Sequence, residues 1–459
     1  MKQSPTIQPS FLLQKKDGVY LLEVPYIEST DYGIIGIYYH GKPREAVNPP
    51  WDGGWIWTKD SLGNPWMSLA AQGLGASSWF PCKDIQSDKP DCGINLSILA
   101  PDTLNVISNG RQAHVWDKID TRLRKWRVKN PINTYDIVPY IGKYKNFTDT
   151  LIGEGNKLEL SYWVLSYNLD KAKKQFTQVK PMLHCFEYWF GKYPFYEDSY
   201  KLVEAPYLGM ENQSNIAYGN GYQNGYKGRD LSHSGWGLKW DFIIVHESAH
   251  EWWGNSITSK DIADMWIHES FANYAETLYT EWLFGKEAGA DYCVGTRKNI
   301  LNDKPIIGPY GVNKEGSGDM YYKGGNMINN IRHIINNDSL FRNILRGLNT
   351  EFYHQTVTTQ QIEGYIIKQS AIDFQKVFDQ YLRTTQIPKL AYSIDKKAMK
   401  VNVHWTNCID GFNMPLTIPI TSKRLNITTE KQSISLTNEE IEWFNSKNLV
   451  RNYYIEVNE

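Results

Sequence analysis

Residues 241–255 read Asp241-Phe-Ile-Ile-Val-His246-Glu247-Ser-Ala-His250-Glu-Trp-Trp-Gly-Asn255, an apolar run that predicts a helix with two histidines four residues apart. At this spacing both imidazoles leave one face of the helix, so together they can bind one zinc ion. Glu247 follows the first histidine and is displaced from that face. It can therefore act as a general base on a water molecule beside the metal without being a ligand itself.

A third ligand is needed, because this five-residue pattern arises by chance in about one percent of chains of this size. The next predicted helix, Asp264-Met-Trp-Ile-His-Glu269-Ser-Phe-Ala-Asn-Tyr-Ala-Glu276, contains Glu269 and is long enough to pack against the first. Two histidines and one glutamate leave the fourth zinc position open for water, as in catalytic sites. The competing interpretation is two surface histidines with an unrelated glutamate. Candidate acceptors for the hydrogen bond that orients a ligating histidine are Glu276 and Asp264.

The composition is that of a soluble globular protein, with 41% apolar and 22% charged residues. The formal net charge is −1, from 49 basic and 50 acidic residues, so no electrostatic footprint for nucleic acid or an anionic membrane is present. No run approaches the roughly 20 apolar residues of a membrane span. The 5 cysteines are too sparse for a disulfide framework or a cysteine zinc site.

The compartment and the oligomeric state are left open by the sequence. The amino end contains no apolar run of signal-peptide length. We therefore expect a cytoplasmic protein if this N-terminus is native, and a secreted or periplasmic one if a leader has been removed.

The chain of 459 residues predicts two to four domains with a multidomain α+β fold. Residues 1–165 alternate apolar and polar side chains between turn signals, which predicts an N-terminal antiparallel β domain. Residues 166–386 change to helical spacing, with one candidate strand near Leu202, and form the predicted catalytic domain. Residues 387–459 alternate again and predict a small β-sandwich.

The residues around the ligands make a family resemblance specific. Trp252-Trp-Gly-Asn255 follows the first helix, and Trp266-Ile-His-Glu-Ser-Phe-Ala272 surrounds the third ligand. Both segments resemble the gluzincin zinc aminopeptidase family, of the aminopeptidase N and leukotriene hydrolase type. The resemblance implies a thermolysin-like, mainly helical catalytic domain with one Zn²⁺. It also implies an enzyme that releases N-terminal amino acids from peptides with a free N-terminus.

Two further segments resemble the parts of this family that bind the substrate amine. Gly209-Met210-Glu211-Asn212 is similar to the exopeptidase signature Gly-x-Met-Glu-Asn with the variable residue absent, which implies substrate-binding roles for Gly209, Met210 and Glu211. A carboxylate beside the zinc can fix an ammonium at a set distance from the scissile carbonyl. Gln72 precedes Phe80-Pro81-Cys82-Lys-Asp84 at the position where relatives carry a glutamine or glutamate that assists this carboxylate. The alternatives are a solvated glutamate and a surface glutamine.

A tyrosine pair resembles the segment of the family that stabilises the oxyanion. Tyr321-Tyr322-Lys323-Gly324 is similar to the family's Tyr-Glu-Lys-Gly, which implies that the Tyr321 phenol donates a hydrogen bond to the tetrahedral oxyanion. Tyr322 would take this role if the register shifted by one residue. The third interpretation is that both are aromatic packing residues in a helix.

The resemblance also implies that two pieces of the family architecture are missing. Relatives carry additional residues before the segment matching Asp31 to Tyr39, and most end in a large helical domain. We therefore expect a shortened N-terminal β domain and no C-terminal helical domain. Two other functions stay open: a leukotriene-hydrolase-like epoxide hydrolase, and a zinc-bearing binding module without turnover. The physiological substrate and the side-chain preference of the first substrate pocket are not determined.

Overall fold

The computed structural model describes residues 13–16, 19–23 and 34–458. The chain divides into two units, residues 1–42 and residues 43–459. The described part of the first unit contains an antiparallel pair of strands, β1 (Leu13–Lys16) and β2 (Val19–Leu22). All of the predicted site residues lie in the second unit.

Two antiparallel sheets form the N-terminal part of the second unit. Their strands are β3 (Gly54–Lys59), β4 (Pro65–Ala70), β5 (Ile94–Pro101), β6 (Asn105–Ile107), β7 (Arg111–Lys118), β8 (Thr121–Val128) and β9 (Tyr140–Gly142). One sheet has the order β3-β4-β9-β6 and the other has the order β5-β8-β7. Alternate residues of β5 differ in exposure because one face of its sheet packs inward, as period-two alternation predicts.

A mixed five-stranded sheet follows. Its strands are β10 (Tyr144–Gly153), β11 (Asn156–Leu165), β12 (Tyr200–Glu204), β13 (Gly209–Met210) and β14 (Ile216–Tyr218), in the order β10-β11-β12-β14-β13. Strand β11 pairs in parallel with β12, and the short strand β13 lies at the edge. The sheet therefore crosses the predicted boundary at residue 165. Alternation identifies a strand but not the sheet that it joins, and the partner β12 comes only after two helices.

Helices cover this sheet and continue to residue 383. They are α1 (Leu169–Gln175), α2 (Val179–Phe190), α3 (Phe242–Ala249), α4 (Trp266–Phe284), α5 (Lys286–Thr296), α6 (Tyr322–Ile335), α7 (Asp338–Glu351), α8 (Thr359–Ser370) and α9 (Gln375–Arg383). Strands β15 (Thr258–Ser259) and β16 (Thr356–Val357) pair beside them. Every residue of α3 is buried, and so is α4 from Trp266 to Thr280. Both helices therefore lie at the centre of the core.

The C-terminal region contains both strands and helices. Its elements are β17 (Lys389–Asp395), β18 (Lys400–Thr406), β19 (Leu416–Ile418), β20 (Lys423–Leu425), β21 (Gln432–Ser435), α10 (Asn438–Trp443), α11 (Ser446–Asn452) and β22 (Glu456–Asn458). The prediction of a small β-sandwich did not include the two helices that this region contains. Thr437 and Glu440 form a capping box that starts α10, and Asn445 caps α11. Among the described residues, no helix combines the length and apolar character needed to cross a membrane.

Asp241 determines where helix α3 begins. Its Oδ1 accepts the backbone N–H groups of Ile243 at 3.1 Å and Ile244 at 3.3 Å, which makes it the N-cap of the helix. Its Oδ2 also accepts the hydroxyl of Tyr218 and the amide of Gln175, each at 2.7 Å. One carboxylate therefore joins the start of α3 to strand β14 of the mixed sheet and to α1.

We expect Asp241→Ala to lower the free energy of unfolding by about 3 kcal/mol, because it removes a cap and leaves buried donors without an acceptor. The matched control is Asn337→Ala, which removes the cap of α7 but no buried network. It should lower the free energy by about 1 kcal/mol. Urea unfolding followed by tryptophan fluorescence measures both, and equal losses would contradict the role given to Asp241.

Candidate metal centre and active site

Helices α3 and α4 bring the three predicted ligands together. Oε2 of Glu269 lies 3.5 Å from Nε2 of His246 and 3.4 Å from Nε2 of His250. The two Nε2 atoms are 3.3 Å apart. All three side chains are buried, and their ligand atoms lie within 4.8 Å of one another, so the group could hold a metal ion.

The hydrogen bonds of these side chains leave acceptor atoms that could bind a cation. Nδ1 of His250 lies 2.9 Å from the carbonyl of Trp253, which can only accept, so this nitrogen carries the proton. Nδ1 of His246 lies 2.8 Å from Oε1 of Glu276. Both Nε2 atoms therefore turn their lone pairs towards Oε2 of Glu269, for which the part of the chain that the structure describes supplies no hydrogen-bond donor. Three buried acceptor atoms that face one another can all bind one Zn²⁺ ion. The contact between His246 and Glu276 is of the kind that orients a zinc-binding histidine.

Glu276 and Asp264, the two candidates for orienting a ligating histidine, make different contacts. Glu276 faces His246, and its Oε2 accepts the hydroxyl of Tyr292 at 2.6 Å. Asp264 instead accepts the hydroxyls of Tyr310 and Thr359, at 2.7 and 2.6 Å. Asp264 therefore joins a loop and α8 to the start of α4, and it makes no hydrogen bond to a ligating histidine.

Glu247 lies beside the three ligands and under an edge strand. Burial raises its pKa to about 7, against the opposite effect of His246 and His250. A methyl group at position 209 would lie 2.6 Å from Oε1 of Glu247 and 3.0 Å from the side chain of Ile243. Gly209 therefore lets the main chain of β13 pass directly over the carboxylate.

Glu211 is buried two residues further along this segment. Its Oε1 accepts a hydrogen bond from the amide of Gln72 and another, at 3.4 Å, from the hydroxyl of Tyr135. Burial raises its pKa, while His250 lowers it. Asn255 donates its amide to the main-chain carbonyl of Glu211 at 2.6 Å. The structure thus places Gln72 and Glu211 in direct hydrogen-bond contact.

The two residues before Glu211 form the short strand β13 although the segment departs from the family signature. Gly209 pairs with Tyr218 and Met210 pairs with Ala217. The side chain of Met210 packs in an apolar cluster with the N-terminal sheets. No motif in the sequence includes Tyr135, and the motif that ends at Asn255 does not indicate a contact with Glu211, because each residue reaches Glu211 across a long separation in the chain.

Of the two candidate tyrosines, Tyr321 faces the metal site. Its ring centroid lies 5.9 Å from that of His246, with the rings inclined by 29°. Burial, and then the charges of Glu269 and Glu211, raise its pKa well above 10, so the phenol stays a donor. The pKa of Tyr322 is raised by burial and then by the charge of Glu276. Glu276 contacts Nδ1 of His246, the ring nitrogen that points away from the other two ligands.

Comparison with known proteins identifies the same region. Residues 167–381 match the model of the Peptidase family M1 domain. Probable aminopeptidase 2 of Sulfurisphaera tokodaii is 21% identical over 435 residues, which cover 88% of this chain and 52% of the relative. Aminopeptidase B of Mus musculus is 23% identical over 363 residues, covering 73% and 52%. Leukotriene A-4 hydrolase of Xenopus laevis is 21% identical over 341 residues, covering 68% and 51%. The chain spans about half the length of these curated relatives.

Solved structures share the fold. A mutant of the M1 zinc metallopeptidase from Deinococcus radiodurans, bound to a Tyr-Ser-Ala substrate, superposes with a TM-score of 0.60 at 18% identity. The match covers 75% of this chain and 74% of that one. The resemblance seen in the ligand segments is thereby confirmed. Residues 167–381 are thus similar to the Peptidase family M1 domain, which is the kind of family that the ligand segments resemble.

Proposed function

We propose that this protein is a zinc-dependent aminopeptidase that releases N-terminal amino acids from peptides with a free N-terminus. The observation that carries the proposal is the buried carboxylate of Glu211 beside the group of His246, His250 and Glu269. A buried carboxylate without a basic side chain bonded to it is costly unless a cation joins it. The ammonium group of a peptide N-terminus supplies that cation.

The position of Glu211 sets the place of cleavage. Gly209 brings the main chain over Glu247, and Glu211 follows two residues later in the same segment. An ammonium bound at Glu211 would therefore present the first carbonyl of the substrate to the metal site. Gln72 holds one oxygen of Glu211 and so assists in binding the amine. Gly209 and Met210 would contact the substrate through their main chain.

The remaining residues carry out the hydrolysis. His246, His250 and Glu269 would hold one zinc ion, which when bound polarises the scissile carbonyl and acidifies water. Glu247 accepts a proton from the attacking water and returns it to the departing amine. Tyr321 donates a hydrogen bond to the developing oxyanion.

The positions of these residues in the fold support the predicted division into three domains. The mixed sheet and helices of residues 166–386 carry the metal ligands, the base and the phenol, as in a thermolysin-like catalytic domain. In this proposal the N-terminal β domain is the region predicted as residues 1–165; its described part supplies Gln72, and strands β10 and β11 join the catalytic sheet. Residues 387–459 form the small C-terminal domain, with two helices added to its strands.

The activity is tested with chromogenic aminoacyl amides. We expect zinc-loaded protein to hydrolyse alanine p-nitroanilide and to leave its N-acetyl form intact, with loss of activity in 1,10-phenanthroline and recovery with zinc. Glu211→Gln should lower kcat/KM about a hundredfold by removing the charge that binds the amine. The control Glu363→Gln changes a buried glutamate paired with Arg383 and should stay near wild type. Bound zinc without turnover would instead indicate a binding module.

The base is tested by Glu247→Gln, which keeps the shape of the side chain but cannot accept the proton. We expect kcat to fall about a thousandfold while the zinc content stays at one per chain. Metal analysis by mass spectrometry and steady-state kinetics measure the two quantities. A kcat within tenfold of wild type would rule out Glu247 as the base.

Gly209→Ala tests the close approach of β13 to Glu247. The added methyl group must displace the carboxylate, so we expect kcat to fall about a hundredfold with zinc retained. Gly364→Ala makes the same change in α8, where the methyl group meets nothing within 4 Å. It should leave kcat unchanged, and equal kinetics for both variants would contradict the proposed contact.

A further inference from the structure

The two oxygens of Glu211 have different surroundings. Oε1 accepts hydrogen bonds from both Gln72 and Tyr135, which approach from separate segments of the N-terminal β region. Among the described residues, both side-chain donors to this carboxylate bind Oε1, and no side chain donates to Oε2. Oε2 is therefore the oxygen that remains for a substrate ammonium.

We propose that Tyr135 is a positioning residue for Glu211, and that its hydroxyl fixes the plane of the carboxylate for binding the substrate amine. The proposal rests on the aminopeptidase function proposed above. A carboxylate held by one donor can still rotate about its last torsion angle. A second donor to the same oxygen restricts that rotation and leaves the other oxygen in one place. The ammonium then meets an ordered partner, which reduces the entropy lost on binding.

The segment that carries Tyr135 is firmly attached to the segment that carries Glu211. Tyr135 lies in a short 3-10 turn, Thr134–Asp136. Asn109 donates its amide to the carbonyl of Asp136 at 2.8 Å and to that of Gln213 at 2.7 Å, so it bridges the two segments. Asn215 donates to the carbonyl of Val138 at 3.0 Å. These buried amides keep the hydroxyl within reach of Oε1.

The electrostatic surroundings keep Tyr135 a donor. Burial, and then the nearby charges of Asp136 and Glu211, raise its pKa well above 10. The phenol therefore stays protonated near neutral pH. Its hydroxyl makes no hydrogen bond to His246, His250 or Glu269. Loss of the hydroxyl should consequently weaken amine binding and leave the metal site unchanged.

Tyr135→Phe tests the proposal, because it removes the hydroxyl alone. Two competitive inhibitors of the zinc-loaded enzyme are compared: n-butylamine, which offers only the amine, and acetohydroxamate, which offers only metal-binding oxygens. The hydrogen bond is long, so we expect the Ki of n-butylamine to rise about fivefold and that of acetohydroxamate to stay within twofold. KM for alanine p-nitroanilide should rise by a similar factor, with kcat nearly unchanged. The control is Tyr196→Phe, which removes a hydroxyl bonded to Glu187, away from the site, and should alter neither Ki.

The outcomes separate this proposal from the proposed function. Unchanged Ki values in Tyr135→Phe, or an equal rise for both inhibitors, would overturn the role of Tyr135. Failure of the wild type to cleave alanine p-nitroanilide would contradict the aminopeptidase function instead. In that case, the thermal shift produced by n-butylamine in wild type and variant still measures the amine site without turnover, and equal shifts would overturn the proposal.

Discussion

Three buried acceptor atoms that face one another constrain the centre of this protein. The Nε2 atoms of His246 and His250 lie against Oε2 of Glu269, and no hydrogen-bond donor lies between them. The three side chains are buried, so the arrangement is unfavourable until a cation joins it. Metal binding and folding are therefore linked here, because the three ligands meet only when helices α3 and α4 pack together in one relative position.

The contacts around the ligands keep helices α3 and α4 in that relative position. Helix α4 supplies both Glu269 and, seven residues later on nearly the same face, Glu276, which orients His246. Asp241 determines the first turn of α3 and attaches it to the sheet. The metal site thus depends on one buried cap and one buried carboxylate as much as on the ligands themselves.

The proposed amine site depends on packing between the N-terminal β region and the helical region that carries the metal ligands. Gln72 and Tyr135 come from the first, and Glu211 comes from the second. Buried Lys89 strengthens this contact, since its ammonium group donates to the carbonyl of Ser256 at 3.1 Å, in the loop after the second histidine. The distance between amine and metal therefore depends on how the two regions meet.

The sequence by itself determined the residues whose relation is local. His246, His250 and Glu247 follow from helical spacing, and Glu269 follows from the next helical run, because short-range periodicity alone places side chains on a helix face. Resemblance to a family extended this to Gln72, Glu211 and Tyr321. Only the tertiary structure shows that Glu276, and not Asp264, is hydrogen-bonded to His246. It also shows that the ring of Tyr321 packs against His246. It alone joined β11 to the catalytic sheet and brought Tyr135 to Glu211, because such pairings arise from packing between segments far apart in the chain, which local pattern does not encode.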